Sequence, residues 1–266
     1  MPEQATDVKL DTIVCGDCLE VMRGMPDRCV DLAFLDPPFN KKKRYGEYRD
    51  NRPDYWEWVA RWFGEVVRVL RPDATVYFMH ITEGLHQVLG LMYSHNLTLQ
   101  NVIPWKNAAS VHTKRKFIRS YQPIVFATRG DYYFDTYFET NPRAIKSWSK
   151  ERRKRQRGQL LDIWDDIPRV YAGSVIHKEA ILEPGTNRKA HPCQAPEGLL
   201  RRIIGFSCPP AGLVLDPFLG SGTTAVVAKK LGRSYIGIEL NPGYVDMANK
   251  PYGFRVTGAY MIFSLP

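Results

Sequence analysis

Apolar positions along the chain fall into two alternating kinds of pattern. Short runs with strand character occupy Thr12 to Cys15, Val30 to Leu35, Thr75 to Met79, Leu97 to Trp105 and Ile124 to Ala127. Two more follow at Leu213 to Leu215 and Tyr235 to Ile238. Helical spacing lies between several of these runs. From Tyr55 to Leu70 the residues Trp58, Val59, Trp62, Phe63, Val66, Val67 and Leu70 recur at three- and four-residue intervals, and Arg71-Pro72-Asp73 predicts the stop. Strands alternating with helices predict an α/β domain around a mainly parallel sheet covered on both faces. The pattern lapses between about Thr128 and His191. There an aromatic stretch (Tyr132, Tyr133, Phe134, Tyr137, Phe138) gives way to eight Lys or Arg and a single acid, Glu151, from Arg143 to Arg157. This segment reads as an insertion or small lobe, not as core. The expected division is one half of the domain in residues 1–128, a basic insertion in 129–190, a second half in 191–250 and a tail in 251–266.

Composition narrows the function classes. At 266 residues and 44% hydrophobic, the chain can bury one large core. No stretch approaches the roughly 20 apolar residues of a membrane helix, and the N-terminal MPEQATDVKL lacks a signal-peptide pattern, so a cytoplasmic location is expected. The excess of 37 Lys and Arg over 28 Asp and Glu, a net +9, favours a polyanionic partner. Five cysteines without framework spacing read as free thiols. Cys15 and Cys18 form a C-x-x-C, but no second pair of ligands stands at short spacing, so no metal is expected.

Two short segments carry chemistry. The first runs from Leu213 through Asp216-Pro-Phe218-Leu-Gly220-Ser221-Gly222-Thr223 to Gly232 and reads as a buried strand, a tight glycine turn and a helix. Glycines let backbone come close to a ligand, and the helix presents its N-terminus to it. A lone Gly-x-Gly often serves only to pack a strand on a helix. Here the next strand ends at Glu239, seventeen residues after Gly222, close to the spacing at which a carboxylate holds ribose hydroxyls. The third fingerprint glycine is replaced by Ala225, and no Gly-Lys-Ser or Gly-Lys-Thr follows, so a nucleoside cofactor without phosphates fits best.

The second segment is Asp36-Pro37-Pro38-Phe39-Asn40, which the strand Val30 to Leu35 enters directly. Two prolines remove two amide donors, leaving carbonyls free to accept beside the Asp36 carboxylate, an arrangement suited to an amine with two protons. Phe39 offers a flat face on which a base can stack. A plain strand-ending turn is the alternative for the tetrapeptide taken alone.

Together these segments resemble the amino-methyltransferases of DNA, which pair Asp-Pro-Pro-Tyr/Phe with Phe-x-Gly-x-Gly. The order here, Asp36 to Phe39 first and Phe218 to Gly222 second, is similar to the permuted β group. Cys15-Gly-Asp17-Cys-Leu-Glu20, Val69-Leu-Arg-Pro72 and His191-Pro-Cys-Gln194-Ala-Pro-Glu197 agree with it. The resemblance implies a Rossmann-like S-adenosylmethionine-dependent methyltransferase fold: a circularly permuted, mostly parallel seven-stranded sheet with a basic insertion. It makes 1–128 the catalytic half, 129–190 the target-recognition insertion and 191–250 the cofactor half. It implies S-adenosylmethionine as cofactor and assigns Asp17, Asp36, Gln194, Phe218, Gly220, Ser221, Gly222, Thr223 and Glu239 to it. Of these, Asp17 would accept from the cofactor's adenine amino group and Glu239 would hold the ribose. A turn or helix cap is an equal alternative for Asp17, and packing or capping for His191. The chain departs from the family at Ala195, where Lys is usual, which puts contacts from Gln194 in doubt. Pro192-Cys193-Gln194 mimics a cytosine C5 nucleophile motif, but it precedes the glycine turn instead of following it, so Cys193 is read as structural.

The implied reaction is direct methyl transfer to an amino nitrogen, adenine N6 before cytosine N4, of a base flipped from double-stranded DNA, with Asp36, Pro37, Pro38 and Phe39 catalytic. Expected phosphate contacts are Lys41, Lys42, Lys43 and Arg44, then Lys114, Arg115 and Lys116 with Arg119, and Arg152, Arg153, Lys154 and Arg155 in the Lys150 to Arg157 run. Each run alone reads equally as a solvated face. A homodimer and a cognate restriction nuclease are partners that the resemblance raises and these residues leave open. RNA or a glutamine side chain as substrate, a non-catalytic DNA-binding relative and a nicotinamide-dependent oxidoreductase are the rival readings.

Overall fold

The computed structural model describes residues 9–46, 48–107, 113–115, 117–136, 138–139, 160–170, 179–183 and 185–250. Seven strands form one sheet: β1 (Thr12–Cys15), β2 (Val30–Leu35), β5 (Leu70–Met79), β6 (Thr98–Lys106), β7 (Tyr121–Thr128), β8 (Leu213–Asp216) and β9 (Ser234–Glu239). A two-stranded hairpin, β3 (Arg44–Tyr45) and β4 (Tyr48–Arg49), stands apart from it. The helices are α1 (Cys18–Arg23), α2 (Tyr55–Val69), α3 (Leu85–Ser94), α4 (Glu197–Ser207), α5 (Thr223–Lys230) and α6 (Pro242–Asn249).

The sheet order is β1-β9-β8-β2-β5-β7-β6, and only the pairings that β7 makes are antiparallel. The permuted, mostly parallel α/β sheet expected from the sequence is what forms. Its first strand lies at one edge beside its last, while β2 and β8, far apart in sequence, are neighbours at the centre. From that pair the sheet extends outward in opposite directions, through β5, β7 and β6 on one side and β9 and β1 on the other. The carboxyl ends of β2 and β8 are therefore the switch point, where open α/β sheets leave a crevice for ligands.

Period-two alternation explains why both faces are covered. Ala33 and Leu35 of β2 pack with α1, α2 and α3, and Leu32 and Phe34 pack with α4 and α5. On α2, Val59, Trp62, Phe63 and Val66 are fully buried, each contributing roughly 1.5–3 kcal/mol relative to exposure.

Two local details go beyond the sequence pattern. The helix α2 does end ahead of Arg71-Pro72-Asp73, and β5 begins at Leu70, before the Thr75 at which the apolar run starts. Pairing of β5 with β2 jumps from Leu70 to Thr75, so Pro72, which has no amide to give, occupies the irregular stretch between. The described flanks of the expected insertion also reach the core at several residues. Phe134 packs on Phe126 and Phe206, Trp164 and Ile167 are buried, and the Trp105 indole donates to the Ile167 carbonyl at 2.8 Å. Buried Arg202 joins both flanks, pairing with Glu139 at 3.1 Å and Asp166 at 2.7 Å. The basic run 143–157 lies outside the described residues.

Candidate active site

A cavity of about 700 Å³ opens at the switch point, within the range of small-molecule and cofactor sites. Its walls include Asp17, Asp36 to Phe39, Gln194, Phe218, Gly220, Ser221 and Glu239, so both motifs and the end of β9 meet in one space. Gly222 and Thr223 lie behind this wall.

Leaving β2, the chain delivers Asp36 into the cavity. Among the described residues no donor pairs with its carboxylate. Burial, and the Asp216 carboxylate nearby, hold its pKa well above the usual range, with Lys43 opposing. The two prolines fare differently. Pro38 accepts from the Tyr55 hydroxyl at 2.7 Å, and that hydroxyl also meets His80 Nε2 at 3.0 Å. The Pro37 carbonyl accepts from no described group. An unpaired carboxylate and an unpaired carbonyl thus stand on adjacent residues, as an amine with two protons requires. Phe39 packs edge-on against His80, ring centroids 5.0 Å apart, and forms a wall between the main cavity and a second one of about 340 Å³.

The turn after Phe39 is held by residues that sequence reasoning missed. Buried Asp50 accepts from the Asn40 and Lys41 amides at 2.8 and 2.9 Å, and Asn40 exchanges two hydrogen bonds with the Arg52 backbone. These partners lie nine to twelve positions away, so no local pattern marks them.

On the other side, Gly220 and Gly222 adopt φ of +55° and +85°. Only glycine enters such conformations freely. A Cβ on Gly220 would stand 2.8 Å from the His191 ring, and one on Gly222 would stand 2.7 Å from the Ala248 Cβ. The two glycine amides close the turn itself, on Glu239 Oε2 at 2.9 Å and the Leu219 carbonyl at 3.1 Å. The Ser221 amide has no partner among the described residues and is the loop donor left for a ligand. Ser221 and Thr223 spend their hydroxyls on each other at 3.1 Å.

Glu239 holds the Gly220 and Asn241 amides, one on each oxygen, which leaves further lone pairs for hydroxyl donors. Burial raises its pKa, and those amides oppose the shift. Asp17 caps α1 through Oδ1 alone, accepting from Leu19 and Glu20 amides at 2.9 and 3.3 Å. The helix-cap reading of Asp17 holds, and the residue also lines the cavity. Phe218 is anchored on Trp62 at 4.8 Å.

Gln194 is different. Its amide accepts from the Ile181 amide at 3.0 Å and donates to the Glu179 carbonyl at 2.7 Å, so it pins the cavity wall that it lines. His191 is a packing residue. Its ring sits 4.6 Å from Tyr244 and over Gly220, Nδ1 accepts from the Cys193 amide at 3.3 Å, and burial lowers its pKa to about 4. Cys193 receives Lys43 Nζ at 2.8 Å. Lys43 therefore turns inward, unlike exposed Lys41, Lys42 and Arg44. Lys114 and Arg115 are exposed on the loop between β6 and β7; Lys116, Arg152, Arg153, Lys154 and Arg155 fall outside the described residues.

Asp216 and Asn107 were not among the expected site residues. Asp216, at the end of β8, accepts from Phe218 N and Thr224 Oγ1, and burial raises its pKa to about 7. Asn107 donates to Gln122 at 3.0 Å and keeps a buried Oδ1 without a partner at the cavity wall. Among the described residues no cluster of His, Cys, Asp or Glu is arranged to hold a metal, and no helix is long and apolar enough to cross a membrane.

Residues 30–250 match the sequence family described as DNA methylase, N6/N4 type. A relative from Escherichia coli strain K12, the DNA adenine methyltransferase YhdJ, is 31% identical over 253 residues, covering 89% of this chain and 80% of its own. The solved PvuII DNA methyltransferase, cytosine-N4-specific, superposes with a TM-score of 0.67 at 19% identity, over 89% of this chain and 84% of that one. The M1.HpyAVI–SAM complex superposes with a TM-score of 0.58 at 19% identity, over 89% and 96%. At such identities the two structures are alike in fold.

Proposed function

The chain belongs to the N6/N4 family of DNA methylases, and from that premise we propose that it is an S-adenosylmethionine-dependent methyltransferase acting on adenine N6 in double-stranded DNA. The observation that carries the reading is the unpaired Asp36 carboxylate beside the unpaired Pro37 carbonyl, in one cavity with the glycine turn and Glu239.

The residues present fit the cofactor. Glu239 retains acceptor capacity for ribose hydroxyls, Asp17 keeps Oδ2 for an adenine amino group, and the Ser221 amide is an open donor. Bound there, S-adenosylmethionine supplies an electrophilic methyl group on its sulfonium. Asp36 and the Pro37 carbonyl accept the two amino hydrogens of the target, which draws the nitrogen lone pair out of conjugation and aims it. Because its proton affinity is raised by burial, Asp36 is also suited to take the surplus proton as positive charge develops on nitrogen. No covalent enzyme intermediate is needed.

An amino group within a duplex cannot reach this cavity, so the base leaves the stack at a cost of a few kcal/mol and is received against Phe39. Exposed Lys41, Lys42, Arg44, Lys114 and Arg115, and the basic run 143–157, supply phosphate contacts. Adenine is favoured by Asp at position 36 and by the adenine specificity in the name of the E. coli relative.

The test is incubation with radiolabelled S-adenosylmethionine and mixed-sequence duplex, then nucleoside digestion. Label in N6-methyladenine is expected. Label in N4-methylcytosine would keep the mechanism and correct the base, and no label on DNA would overturn the reading.

A further inference from the structure

The loop joining β6 and β7 carries an apolar side chain for which the protein itself has no use. Phe117 is 99% exposed, and Ile118 beside it is 46% exposed. A ring left in water adds nothing to the fold. Lys114, Arg115 and Arg119, all exposed, surround it in sequence. Asn107 and Gln122, at the two feet of the loop, line the main cavity. Arg119 is tied to Glu83 at 2.7 Å, and Glu83 lies in the wall of the second cavity, which Phe39 shares. The described end of the loop therefore leads from the rim of the site, and it carries apolar side chains flanked in sequence by cations. Stacked bases between two rows of phosphates match that combination: the cations meet phosphate and the ring meets the stack.

We propose that Phe117 is a wedge that enters the duplex beside the target nucleotide and fills the space left by the extruded base. The inference rests on the base extrusion put forward above and assigns the side chain that stabilises it. Ile118 broadens the wedge, and Lys114, Arg115 and Arg119 hold the backbone on either side of it.

The experiment compares the wild-type chain with Phe117→Ala and Phe117→Trp on two duplexes, one with the target base paired and one with it in a mismatch that already loosens it. On paired DNA, Phe117→Ala should lose about tenfold or more in kcat/KM, because unstacking is no longer compensated. Phe117→Trp should keep most of the activity. On the mismatched duplex the alanine variant should approach wild type, a rescue that a merely structural role would not give. Cofactor binding by calorimetry and the melting temperature should be unchanged. Equal losses on both duplexes, or no loss on either, overturn the wedge. A fluorescent aminopurine at the target position reads extrusion directly. If it fails to brighten with the wild-type protein, base extrusion itself falls and the wedge falls with it; if it brightens equally with Phe117→Ala, only the wedge does.

Discussion

Asp36 and Asp216 are two carboxylic acids in one buried site, and both have raised proton affinity. Replacing Asp36 with Ala should lower kcat by about 100- to 10,000-fold, the usual worth of a positioned acid–base group, with cofactor binding by calorimetry intact. Retained turnover in a folded variant would sink the assignment. In the proposed mechanism Asp36 acts ionised, so the acid limb of the kcat profile should lie above the ordinary carboxylate range, and Asp36→Asn should remove that limb. For stability the sign is the reverse of a salt-bridged acid. A folded pKa above the unfolded one favours the fold at low pH, and that contribution is lost as pH rises through the folded value. Asp216, moving from 3.8 to about 7, then costs up to about 4 kcal/mol above neutrality. Asp216→Asn should therefore raise the melting temperature at pH 8, with the gain shrinking as pH falls below 7. Tyr55→Phe deletes the donor to the Pro38 carbonyl and should cost about 1–3 kcal/mol of stability or of barrier height, seen as a lower kcat or melting temperature.

At the scale of elements, what is legible in the sequence depends on whether an element carries its cause locally. All seven core strands of the sheet are readable as apolar runs, and the α2 stripe and the glycine turn as local patterns. The β3–β4 hairpin escapes because two-residue strands leave no periodicity. The Asp50 clamp escapes because Asp50 acts on Asn40 from ten positions away, and Tyr55 supports Pro38 from seventeen. The aromatic stretch after Thr128 misleads, since its partners Phe126 and Phe206 come from β7 and α4. The structural part of Gln194 escapes for the same reason, because its hydrogen bonds go to a backbone segment with no sequence signature. The glycine turn, by contrast, states its own requirement. Gly222→Ala must adopt φ near +85° and press on Ala248. It should cost about 1–3 kcal/mol and weaken cofactor binding, measured by thermal melting and calorimetry, with α5 displaced.

Over the whole molecule, a net +9 sets how the protein meets DNA. Neutralising residues of the 143–157 run should weaken DNA binding and flatten its salt dependence, by about 0.9 in the log–log slope for each phosphate left without its cation, while cofactor affinity stays the same. An unchanged slope would refute a DNA-binding role for that run. The sheet order has a consequence of another kind. Strand β1 is finished early in synthesis, yet its hydrogen-bonded partner β9 ends at Glu239. The Asp36 motif emerges from the ribosome well before the end of β9, but β8, the central neighbour of β2, and the glycine turn that completes the cavity wall come only with the second half of the domain. The cavity wall is thereby complete only once translation has passed Glu239.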